Sequence, residues 1–199
     1  NVMLESSNPA ALLRFTGDQG TAAANISITG SASTRTPTIL RDNAYSLRGS
    51  DNINAINLTT GAQIWSASVR TNGVDIVAND QHLFYSYRAQ IYALDRATGT
   101  PAFTIDTSLP GHSSLVLGAR NNILSNANGL ASFDLVSRKQ NWHIPGLSYD
   151  TTEPVAANGQ VYYLNSGVLT SVDEISGNLR WSWRADRWRI NSNIIATLS

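Results

Sequence analysis

Ala93-Leu94-Asp95-Arg96-Ala97-Thr98-Gly99, with Phe103 four residues further on, is the stretch that decides the fold, because it recurs. Upstream it returns as Ala55-Ile56-Asn57-Leu58-Thr59-Thr60-Gly61 followed by Trp65. Downstream Ser132-Phe133-Asp134 leads to Trp142, and Ser171-Val172-Asp173 with Ser176-Gly177 leads to Trp181. The Asp or Asn residues stand at 57, 95, 134 and 173, at intervals of 38, 39 and 39, and in every copy the aromatic follows eight residues later. A fixed period between about 20 and 50 residues marks a repeat architecture, in which each unit buries its apolar face only against its neighbours.

Each copy reads as strand, tight turn, strand. Gln90 to Leu94 run into the turn, Gly99 supplies the positive φ that a short turn demands, and Thr100 to Ile105 continue as the second strand. Two more strands precede each copy. In the last repeat Pro154-Val155-Ala156 runs into Asn158-Gly159, then Val161-Tyr162-Tyr163-Leu164, then the turn Asn165-Ser166-Gly167, then Val168 to Val172. Asn-Gly between β-rich runs is a strong hairpin signal. The third repeat repeats this layout around Asn121-Asn122 and Asn128-Gly129; Ala44 to Leu47 and Leu83-Phe84-Tyr85 supply the same strand in the first two. Four strands per unit of about 40 residues describe an all-β chain, a β-propeller of four-stranded antiparallel blades. The blades are expected at 36–70, 71–106, 107–145 and 146–186. Residues 1–35 read as the last two strands of a degenerate blade, Val2 to Glu5 and Leu12 to Phe15, with 17–33 as loop. Residues 187–199, with Ile190, Ile194 and Ile195, read as the first strand of a further blade.

The four copies resemble the propellers built from pyrroloquinoline-quinone-like repeats, a family that includes the quinoprotein alcohol dehydrogenases and BamB-like outer-membrane assembly lipoproteins. Their repeat has the form A-x-D-x-x-[ST]-G-x-x-x-W. The resemblance implies that Trp65, Trp142 and Trp181, with Phe103 in the same place, dock between neighbouring blades. Arg138 stands where the third repeat should carry glycine, Asn57 replaces Asp, and Ser132 and Ser171 replace Ala. Propellers of this kind have seven or eight blades. Four and a fraction imply part of a larger propeller, one shared blade closing a small ring, or association of two copies through open edges.

Composition narrows the function by exclusion. Of 199 residues 42% are hydrophobic, and fourteen basic side chains balance fourteen acidic ones. Such a chain lacks the long-range attraction that nucleic acids exert on basic domains. No uncharged apolar run approaches the roughly 18 residues of a membrane-spanning helix, and Asn1 to Ala10 carry neither part of a signal peptide. With no cysteine there is no disulfide, thiolate nucleophile or Cys-based metal site. A surface rich in Asn, Ser and Thr, with Lys139 the sole lysine, fits the periplasm, the outer membrane or the extracellular space.

No catalytic set emerges. His82, His112 and His143 occupy unrelated repeat positions, and Gly111-His112-Ser113-Ser114 lacks the spacing of a nucleophile elbow. Asp51-Asn52-Ile53-Asn54 offers oxygens in a loop, but a hairpin accounts for it. Asp95, Asp134 and Asp173 read as turn-capping residues. The sequence therefore predicts a non-catalytic scaffold for protein–protein interaction that binds no cofactor and no metal. Two alternatives stay open: a fragment of a quinone-dependent dehydrogenase, and a sugar-binding or adhesin module using exposed aromatics such as Tyr85, Tyr87 and Trp188. The one local oddity is Arg180-Trp181-Ser182-Trp183-Arg184-Ala185-Asp186-Arg187-Trp188-Arg189. Strand alternation puts Trp181 and Trp183 on one face and Arg180 and Arg184 on the other. Arg and Trp are the types enriched at interface hot spots, so Arg180, Trp183, Arg184, Arg187, Trp188 and Arg189 form the candidate interaction surface.

Overall fold

A computed structural model of the chain describes residues 2–7, 10–15, 22–27, 37–48, 51–71, 76–109, 114–126, 129–146 and 153–184. The described residues are strands and turns. No helix among them is long and apolar enough to cross a membrane. The chain divides into two compact units, Asn1–Tyr85 with Ala93–Phe103, and Ser86–Tyr92 with Thr104–Ser199.

Among the described residues, four of the five sheets have four antiparallel strands each, in chain order from one edge to the other. The first comprises β4 (Thr38–Leu40), β5 (Asn43–Arg48), β6 (Asn52–Asn57) and β7 (Gln63–Ser68). The second comprises β8 (Val77–Ala78), β9 (His82–Tyr87), β10 (Gln90–Asp95) and β11 (Pro101–Asp106). The third holds β12 (Ser114–Leu117), β13 (Asn122–Asn126), β14 (Gly129–Asp134) and β15 (Gln140–Pro145). The fourth holds β16 (Val155–Ala157), β17 (Gln160–Asn165), β18 (Val168–Asp173) and β19 (Leu179–Arg184). The middle strands carry the buried stretches of each sheet, continuous from Ile53 to Ile56 in β6, from Leu83 to Ser86 in β9 and from Asn122 to Ser125 in β13, as burial on both faces requires.

The remaining sheet has three strands, β1 (Val2–Ser7), β2 (Ala10–Phe15) and β3 (Ala22–Ser27). The sequence led us to expect two strands followed by a loop over 17–33. Instead Ala22–Ser27 pairs with β2, and the register explains why. A shift between Arg14 and Phe15 places Phe15 opposite Ala22 and Arg14 opposite Ala24. The same shift lies between Ala55 and Ile56, Ser132 and Phe133, and Ser171 and Val172. β2 and β3 thus repeat the backbone of the hairpin that carries the aromatic, with Ala24 where Trp65, Trp142 and Trp181 stand. Lacking the aromatic, the copy was illegible by sequence. The Ile190, Ile194 and Ile195 segment lies outside the described residues.

Candidate functional site

The aromatic hairpin is built from its turn. Asp95 Oδ1 accepts the backbone N–H of Ala97 at 3.0 Å and of Thr98 at 2.8 Å, and the Thr98 hydroxyl at 2.9 Å. Asp173 repeats this with Ile175, Ser176 and the Ser176 hydroxyl, and Asp134 with the N–H groups of Val136 and Ser137. Asn57 makes the same three bonds with its amide oxygen, so Asp and Asn are interchangeable here. The carbonyl of the same residue accepts the N–H four positions on, from Gly61, Gly99, Arg138 and Gly177. Those four residues sit at φ between 61° and 74°, a conformation that Arg138 adopts without the freedom of glycine.

These bonds favour the charged carboxylate and hold its pKa down. The Thr98 hydroxyl does most for Asp95, the Ser137 N–H for Asp134, and for Asp173 the Ser176 N–H followed by the Arg180 guanidinium. A folded-state pKa below the unfolded value adds stability that is present above the unfolded pKa of about 3.9 and is lost as pH falls toward the folded value. The urea midpoint is therefore expected to fall below about pH 4. Replacing all three aspartates by Asn should keep the turns, as Asn57 does, and flatten that acid arm. An unchanged acid arm in the triple variant would contradict this account.

The aromatics differ from seam to seam. Trp65, 8% exposed, donates its Nε1–H to the Arg96 carbonyl at 3.0 Å, and a Cβ on Gly99 would lie 2.5 Å from its ring. Trp142, also 8% exposed, donates to the Glu174 carbonyl at 3.0 Å, and a Cβ on Gly177 would lie 2.7 Å from its ring. In both cases the indole lies against the bare turn glycine of the next sheet and bonds the carbonyl next to the turn Asp. Trp142 also joins a core of Leu124, Leu130, Val161, Tyr163 and Val172. Phe103, which has no N–H to donate, is half-buried against His82, with ring centroids 5.1 Å apart, and Phe84.

Trp181 stands apart: it is 42% exposed, with the Tyr162 ring 6.0 Å away. All six residues of β19 are exposed, Trp183 at 53% and Leu179 and Arg184 among them. Arg180 is ion-paired with Asp173, which fixes it over its own turn. Arg187, Trp188 and Arg189 lie outside the described residues. Tyr85, expected to be an exposed aromatic, is buried at 6% because it belongs to the inward run of β9. Tyr87 is half-buried, with the Arg88 guanidinium 5.2 Å above its ring. The oxygens of Asn52 and Asn54 accept the hydroxyls of Ser68 and Ser66 across β6 and β7. Among the described residues no three His, Cys, Asp or Glu side chains cluster.

What sequence reasoning missed is the residue after the turn Asp. Its carbonyl receives the indole N–H, and its side chain reaches back to the preceding sheet. The only sequence signal was that Arg96 and Glu174 stand where the other copies have Leu58 and Leu135.

Repeated four-stranded sheets joined through an aromatic hairpin define a β-propeller of the pyrroloquinoline-quinone-like class. The family model of the outer membrane protein assembly factor BamB matches residues 49–197, and the chain belongs to that family. Among solved structures it is similar to BamB from Moraxella catarrhalis, at 14% identity and a TM-score of 0.59, over 92% of this chain and 72% of that one. It is also similar to KlHsv2 with loop 6CD replaced by a Gly-Ser linker, at 10% identity and a TM-score of 0.72, over 94% of this chain and 65% of that one. A europium-containing methanol dehydrogenase matches at 13% identity and a TM-score of 0.57, over 74% of this chain and 41% of that one. The chain thus spans less than two thirds of the last two. No curated protein matches it.

Proposed function

We propose that the protein is a non-catalytic propeller scaffold for protein–protein interaction, working in the periplasm at the outer membrane or outside the cell. The observation that carries this reading is the exposure of Trp181 on β19, at the repeat position where Trp65 and Trp142 are buried, with Trp183 exposed two residues further on. The two buried equivalents indicate the chemistry that fits: a carbonyl to accept the indole N–H and a glycine Cα against the ring face. A glycine-bearing turn of a polypeptide supplies both. Large aromatics flanked by arginine, here Arg184, are the usual anchors of such contacts. The assembly role of BamB gives the reading its cellular setting.

Site-specific photo-crosslinking from position 183 in cells of the source organism tests it. A crosslink to a protein, mapped to a glycine-containing turn and lost in Trp181→Ala, is the outcome expected. Alcohol-dependent dye reduction by the chain loaded with pyrroloquinoline quinone and calcium would instead establish the dehydrogenase reading. Glycan-array binding that depends on Trp183 would establish the adhesin reading.

A further inference from the structure

Glu174 is completely buried, and its carboxylate has no cationic partner among the described residues. Oε1 accepts the backbone N–H of Arg120 at 3.3 Å. It also lies over Gly118, where an added Cβ would stand 2.3 Å from Glu174 Oε1 and 2.1 Å from Asn122 Oδ1. The carboxylate and the amide therefore meet in the space that a Cβ on residue 118 would occupy. With Asn122 Nδ2 directed at Ser132 Oγ, 3.2 Å away, both Asn122 Oδ1 and Glu174 Oε2 are buried without a donor.

Two ends of one amide have the same shape, so their hydrogen-bond partners decide which is which. Turned over, Asn122 donates Nδ2–H to Glu174 and accepts the Ser132 hydroxyl proton at Oδ1. Ser132 Oγ in turn accepts Asn141 Nδ2–H at 3.2 Å. The result is one directed chain, Asn141 to Ser132 to Asn122 to Glu174, running across the seam between the third and fourth sheets.

We propose that Glu174 is a seating key, the residue that specifies which sheet packs on the third one. Its carboxylate is read by two donors, Arg120 N–H and Asn122 Nδ2–H, over the bare Gly118. At the seam between the first and second sheets the same repeat position holds Arg96, whose guanidinium donates to the Tyr45 hydroxyl at 3.0 Å and the Asp80 carbonyl at 2.9 Å. Across its seam the third sheet thus meets Glu174 with donors, whereas the first meets Arg96 with the Tyr45 hydroxyl, the Asp80 carbonyl belonging to the second sheet itself. A cation at position 174 would face the Arg120 and Asn122 donors, leaving like polarity against like at a buried position.

Thermal melts and amide exchange test the proposal. Glu174→Leu and Glu174→Arg should each lower Tm by roughly 5 to 10 °C, since both take away the buried acceptor shared by the Arg120 N–H and the Asn122 amide. Glu174→Gln should lose less than half as much, because Asn122 can turn its amide to suit. In Glu174→Leu the Arg120 amide should lose about tenfold in protection, while amides of β5 and β6 keep theirs. A Glu174→Leu chain as stable as the parent, with Arg120 still protected, overturns the proposal: the position would then need only bulk, as at Leu58 and Leu135. Should the variants not fold, the parent chain decides alone. Slow exchange at Arg120 supports the key, and free exchange there overturns it.

Discussion

Gly177→Val should lower stability by about 4 to 6 kcal/mol, from three losses at one atom. A β-branched residue at φ 69° costs roughly 1 to 2 kcal/mol in backbone strain. Its Cβ would lie 2.7 Å from Cγ and Cδ2 of Trp142, so the indole must leave its seat and forfeit part of the roughly 3 to 5 kcal/mol that a buried aromatic contributes. The Nε1 bond to the Glu174 carbonyl goes with it, at about 1 kcal/mol. The control is Gly146→Val, where φ is 76° but nothing stands within 4 Å of the new Cβ, so only the backbone cost of roughly 1 to 2 kcal/mol remains. Urea denaturation of both variants separates the terms. Equal losses would mean that the indole is not seated on Gly177.

Trp142→Ala approaches the same site from the other side and should cost about 3 to 5 kcal/mol. The indole is shared between its own sheet, through Leu124 and Leu130, and the next, through Val161, Tyr163 and Val172. Truncation opens a cavity between two sheets, which neither can close without moving. Trp142→Phe keeps most of the ring but strips the donor from the Glu174 carbonyl, and should cost roughly 1 to 3 kcal/mol. Trp183→Ala should fall near or below about 1 kcal/mol, because that side chain is half in water already. Denaturant midpoints ranking Trp183 with Trp142 would place the aromatic register two residues out.

The features legible in the sequence were those whose chemistry is local. Asp95, Asp134 and Asp173 bond to backbone two and three residues away, so their spacing from the turn and from the aromatic is rigid, and the repeat stood out. The seams depend on pairings between residues far apart in sequence, Trp65 with Arg96 and Trp142 with Glu174, which no periodicity announces. Even a correct register left Trp181 ambiguous. The same hairpin buries an indole or exposes it according to what lies beyond it, and nothing in Leu179 to Arg184 encodes that. Tyr85 was misread for a related reason: two-sided burial in β9 removes the alternation by which an outward side chain is recognised.

The register shift before each turn bears on how the chain can change in evolution. Because of it, Trp65 lies opposite Ala55, Trp142 opposite Ser132 and Trp181 opposite Ser171, a large ring always facing a small partner. Adding or deleting one residue between the turn and the aromatic would carry the ring to the other face of the strand. That span is accordingly constant at eight residues, whereas the repeat interval varies between 38 and 39. Length drift is confined to the connections outside the aromatic hairpin. Those connections are where a lineage can lengthen loops and acquire new binding specificity while the packing between sheets stays as it is.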